Sequence, residues 1–128
     1  MQNITMKLSQ KIALIIVITY CIFHVLVLFQ IIPYDVVWGG KIKSVNEMYI
    51  LEGVALTIML FIGAILSMKS RLVKPFFAYK TIKRILLVFA IVFMLNTIGN
   101  LLAKTIIEKS QAIITLYLAV VLYKSSKK

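Results

Sequence analysis

Apolar residues fall in long blocks along this chain, not in the alternations or single stripes of a water-soluble fold. The first block runs without a charge from Ile12 to Ile32 and stops at Pro33. A second, from about Met48 to Met68, contains one charge, Glu52, a turn inside its start. A third, from about Ile85 to Ala103, holds Asn96 and Asn100. Crossing a hydrocarbon core of about 30 Å takes about 20 mostly apolar residues in helical form, so each of these blocks predicts a spanning helix. The fourth block, Ala112 to Tyr123, has only 12 residues, roughly 18 Å of helix. Ser110 and Gln111 at one end and a snorkelling Lys124 at the other would lengthen it; a re-entrant or interfacial segment is the competing reading. Lys7 and Lys11 ahead of the first block raise a signal peptide. The apolar run is too long for one and no small-x-small cleavage site follows it, so it reads as a retained helix.

The expectation is therefore an all-α protein of one domain, residues 1–128. Four transmembrane helices (about 12–32, 48–68, 85–103 and 110–124) would pack as a bundle with antiparallel neighbours. Composition agrees: 62% of residues are hydrophobic, against about 45–50% in a soluble domain even with glycine counted. A chain this short has too little interior to hide the excess. The apolar content excludes disorder, and a single cysteine, Cys21, excludes a disulfide scaffold.

Charge sets the orientation. Of the 15 Lys and Arg residues, eleven fall in the two tails and in the connection between the second and third blocks. The other side has only Lys41, Lys43, Lys104 and Lys109, together with all four acids, Asp35, Glu47, Glu52 and Glu108. The positive-inside rule then puts both termini in the cytoplasm and makes the chain a multi-pass protein of the cell membrane. In the inner connection, Lys69, Arg71, Lys74, Lys80, Lys83 and Arg84 interleave with Pro75, Phe76, Phe77 and Tyr79. That pattern suits anionic lipid headgroups or an acidic partner. Topology and aromatic anchoring alone also account for it, and it specifies no particular nucleic acid.

Polar side chains inside the spans need a partner, water or a purpose. His24, Glu52, Asn96 and Asn100 all fall within roughly 5–12 Å of the outer boundary at the helical rise. Asn96 and Asn100 are one turn apart, with Gly99 and Ala103 beside them; Glu52 shares a face with Met59 and Gly63; His24 stacks with Tyr20 and Leu28. Gln111, Thr115 and Ala119 form a polar-to-small stripe starting at the same level. These groups predict an outward-facing polar pocket in which Asn96 or Asn100 hydrogen-bonds Glu52, directly or through one water, with His24, Thr115 and Trp38 as further ligand-binding candidates. Plain interhelical hydrogen bonds, a snorkelling Glu52 and a neutral His24 satisfied by a neighbour are the structural alternatives. In the outer connection, Gly39 and Gly40 would let Trp38 fold back over the pocket as a lid. An aromatic belt of Tyr34, Trp38 and Tyr49 explains the same residues.

One histidine and one cysteine make neither a zinc site nor a paired-thiol centre, no phosphate-binding glycine loop is present, and no serine accompanies the histidine in a hydrolase arrangement. No cofactor or metal is expected, and the missing motifs disfavour an enzyme. Two stretches, Val37-Trp-Gly-Gly-Lys-Ile-Lys-Ser44 with Met48 and Glu52, and Leu95-Asn-Thr-Ile-Gly-Asn-Leu-Leu-Ala103 with Glu108, resemble small four-span bacterial membrane proteins of unassigned function, over most of the chain. The resemblance implies the four-helix architecture and that these polar residues belong together; it implies no activity. Three functional classes remain: binding or transport of a small ligand or ion in the outer pocket; an accessory, interaction or immunity subunit acting on another membrane component, with oligomers open to either; and, disfavoured by the missing motifs, a lipid-modifying or redox membrane enzyme working through Glu52 and His24. A small-multidrug type of exporter would carry its acid in the middle of the first helix, where this chain has none.

Overall fold

The computed structural model describes residues 7–36, 42–103 and 106–127. They form four helices, α1 (Leu8–Leu28), α2 (Val45–Lys69), α3 (Tyr79–Leu101) and α4 (Ile106–Lys127), with a short 3₁₀ turn, Tyr34–Val36, between the first two and no strand among the described residues. All four are long and apolar enough to cross a membrane. Their apolar residues ring the whole helix surface: Ile15, Ile18 and Ile22 on α1, Val88, Ile91 and Leu95 on α3 and Ile113 on α4 all lie exposed. An apolar girdle of this extent suits lipid and not water. The chain is an all-α, multi-pass bundle.

The helix limits differ from the sequence expectation in instructive ways. α1 ends at Leu28, four residues short of Ile32, because Gln30 turns left-handed (φ 59°). Its N–H bonds Val27 O and that of Ile31 bonds Leu26 O at 2.9 Å, closing a Schellman cap without the usual glycine. Arg71 (φ 65°) ends α2 in the same way. α2 starts three residues before Met48, since Ser44 Oγ accepts the Glu47 N–H at 3.1 Å, an N-cap. α3 starts at Tyr79 and ends at Leu101, so Lys80, Lys83 and Arg84 ride on its first turns instead of lying in the connection. The fourth helix is continuous over 22 residues, about 33 Å, which answers the doubt about its length.

Packing follows chain order. α3 against α4 and α1 against α2 make the broad interfaces, and α2–α3 and α1–α4 close the ring. α1 and α2 approach closely at Gly63, where a Cβ would stand 3.3 Å from Val17 Cγ1, the use to which membrane bundles put small residues. Gln10 Nε2 donates to Ser125 Oγ at 3.0 Å, so the start of α1 and the end of α4 lie side by side at one end of the bundle, hereafter the terminal end. Two apolar clusters form the core. The larger, toward the terminal end, includes Val17, Ile62, Leu66, Leu86, Leu118 and Leu122. The smaller, at the far end, is built from Val27, Ile42 and Met48 with Phe23 and Tyr34 against them.

Candidate functional site: a polar layer in the bundle

Between the two apolar clusters every helix turns a polar residue inward. On α1 the inward positions Gln10, Ala13, Val17, Tyr20, His24 and Val27 follow three- and four-residue steps, the spacing of one helix face. On α2 the series Met48, Glu52, Met59 does the same, and on α3 Leu86, Ala90, Phe93, Thr97. α4 contributes Gln111 and Thr115. The periodicity that buries the leucines thus carries these polar groups into the interior at a common level.

The centre of the layer is Glu52, which is fully buried (0% exposed). Its Oε2 pairs with His24 Nδ1, and its Oε1 has no hydrogen-bond partner. His24 is itself largely buried, stacked on the Tyr20 ring (6.4 Å between centroids, 25° between planes) and edge-on to Phe23 at 5.8 Å. Tyr20 O–H donates to Gln111 Oε1. The Thr97 and Thr115 hydroxyls lie 2.9 Å apart; one donates to the other, and the acceptor's own proton goes to a carbonyl of its helix, Phe93 O or Gln111 O. The far end is covered by Tyr34 and Ile42, which pack on Val27 and Met48.

The structure brings the expected residues together only in part, around a Glu52 that is fully buried instead of lining a pocket open to the outside. His24, Glu52 and Thr115 do face the interior at one level, and His24 does stack with Tyr20. The direct bond from Asn96 or Asn100 to Glu52 is not made, since Oε2 pairs with His24 and Oε1 is unpartnered. α3 buries Phe93 and Thr97, so Asn96, one residue and about 100° around the helix from Thr97, is exposed and Asn100 is half-buried. Gly99, expected to allow close helix approach, has nothing within 4 Å of a Cβ position. Trp38, with Gly39 and Gly40, lies outside the described residues, and so does the lid expectation. The sequence reading does not single out Thr97; the alternating four- and three-residue steps from Leu86 through Ala90 to Phe93 are the signal that points to it. The pairing of His24 with Glu52 was legible only as a shared depth.

The basic candidates gather at the terminal end. Lys69 is buried (9% exposed) with its Nζ 4.9 Å over the Tyr79 ring, a cation–π contact; Arg71, Lys74, Lys80 and Arg84 are exposed and Lys83 half-buried.

Among the described residues no three His, Cys, Asp or Glu side chains gather where they could hold a metal ion. The chemistry available in the layer is proton sharing and cation binding. The Glu52 carboxyl group and the His24 imidazole are in direct contact, and the remaining Oε1 lone pairs can accept one more donor.

No known protein family matches this sequence, and neither curated proteins nor solved structures include one similar to it. Of the resemblance to small four-span membrane proteins, the structure supports the four spans.

Proposed function

We propose that this chain binds or carries a small cation, in the simplest case a proton, across the polar layer of its membrane bundle. The observation that carries the reading is Glu52: a fully buried carboxyl group, paired on one oxygen with His24 and unpartnered on the other. A buried pair of ionisable groups is costly to keep for stability alone, because apolar residues of similar volume often serve as well or better. Ionisable groups within membrane helices mark ion and proton pathways. With both termini in the cytoplasm, the orientation that the positive-inside rule favours, the layer would sit in the outer half of the bilayer, near the side from which a ligand enters.

The test is flux in proteoliposomes. Vesicles loaded with a pH-sensitive dye and given an inside-negative potassium diffusion potential should acidify faster with the wild-type protein than without it. Glu52→Gln, which keeps size but removes charge, should fall to the protein-free rate while helix content is kept. Wild-type vesicles no faster than empty ones would end the transport reading.

One observation favours the accessory reading. Asn96 is exposed on a face that otherwise presents Val92 and Leu95, and an amide turned toward lipid tails gains by meeting a polar group on another helix. A partner seated there would be lost on Asn96→Leu, read as a change in the mass of the detergent-extracted complex.

A further inference from the structure

The cations and the acids of this protein are sorted by end. Asp35 and Glu47 lie at the far end, Glu108 in the first turn of α4 and Glu52 in the polar layer, so no acidic side chain stands at the terminal end. There an open groove of about 360 Å³ runs between the start of α3 and the end of α4, walled by Lys80, Lys83, Arg84, Leu87, Ser126 and Lys127. Three of its four cations sit together on the first turns of α3, and the antiparallel return of α4 brings Lys127 beside them. A second cavity of about 380 Å³ lies alongside, sharing Lys127 and adding Lys7 and Lys124. Both volumes fall in the range of about 300–1,000 Å³ typical of small-molecule sites.

We infer that the first groove binds the phosphate of an anionic phospholipid. Lys80, Lys83 and Lys127 supply point charges and Arg84 a planar fork, the donor set that suits phosphate oxygens. Lys127 Nζ lies 5.1 Å over the Tyr123 ring, but no acidic side chain answers these charges, so an external anion completes the groove. A lipid fits better than a free anion because the wall turns apolar at Leu87, and exposed Val88 and Ile91 continue that line along α3. The phosphate lies among the cations and an acyl chain follows Leu87 and Ile91 into the bilayer. This site stands apart from the Glu52–His24 layer and does not depend on what that layer carries.

The experiment is a titration of the full chain in neutral detergent micelles with phosphatidylglycerol, phosphatidylcholine or inorganic phosphate, read as a shift in unfolding midpoint and fitted to an apparent Kd. Each basic side chain near an anionic lipid surface is worth about a five-fold change in affinity. The triple variant Lys83→Gln, Arg84→Gln, Lys127→Gln should therefore bind phosphatidylglycerol on the order of a hundred-fold more weakly. A control triple at the same end but off the groove, Lys11→Gln, Arg71→Gln, Lys74→Gln, should stay within about three-fold of wild type, within the scatter of screened surface charges. The charge-keeping set Lys83→Arg, Arg84→Lys, Lys127→Arg should retain most of the affinity, which separates lost charge from lost folding. Saturable binding of phosphatidylglycerol alone, lost only in the first triple, supports the site. Equal losses in both neutral triples, a charge-keeping set as weak as the neutral one, no saturable phosphatidylglycerol binding, or protection by inorganic phosphate equal to that by the lipid would each overturn it.

Discussion

The polar layer and the terminal end treat charge in opposite ways. In the layer one carboxyl group is sealed from solvent and given one internal partner, His24. At the terminal end Lys80, Lys83, Arg84, Lys124 and Lys127 are left without an acidic side chain beside them. Burial explains the contrast: a charge in a low-dielectric interior must be matched within the protein, whereas one at a membrane surface is matched by water, counterions and headgroups. The molecule therefore has one region whose electrostatics are closed and one whose electrostatics are open to the surroundings.

The contrast can be broken most forcefully at its closed side. His24→Leu removes the one partner of a buried carboxylate and should destabilise the bundle by about 3–5 kcal/mol, measured by denaturant unfolding in micelles. The double variant His24→Leu, Glu52→Leu should recover to within about 1 kcal/mol of wild type, yet show no flux in the vesicle assay. A double variant as unstable as the single one would mean that the pair serves folding instead. A neutral pair tests whether charge, and not burial, makes the difference. Gln10→Leu at the terminal end strands Ser125 and should cost about 1 kcal/mol in the same measurement. Thr97→Val, breaking the threonine contact inside the layer, should cost less still, about 0.6 kcal/mol. The open side should barely respond: Lys83→Met is expected within about 0.5 kcal/mol of wild type in neutral detergent, since no bond from its side chain is lost.

The four spans were legible because lipid imposes length and hydropathy on every helix, a demand written directly in residue type. The helix ends were less so. Gln30 and Arg71 adopt the left-handed cap that glycine usually announces, and Ser44 could be recognised as a cap only with Glu47 three residues on. The site was legible in depth but not in direction. Counting from the helix ends put His24, Glu52 and Thr115 at one level, yet a helix apolar on all faces gives little sign of which side turns inward. Asn96 was therefore assigned inward by its chemistry, while the packing of Phe93 and Ala90 turned Thr97 inward instead. The basic groove was hidden for another reason. Lys83 and Lys127 meet only through the antiparallel return of α4 along α3, which no local pattern records.

The order of partners along the chain also has a consequence for biosynthesis. Helices are delivered to the membrane from the N-terminus onward, and α1 carries His24 and Tyr20 before the other three helices have been made. His24 finds Glu52 on the next helix, so the first hairpin can neutralise its own charge as soon as α2 enters. Tyr20 and Gln10 must wait for Gln111 and Ser125 on the last helix. The charged contact is local and early, the neutral contacts distant and late. A ribosome-stalled chain ending after α2 would already hold its costliest polar group in partnership, while the seam between α1 and α4 would close only once α4 has entered.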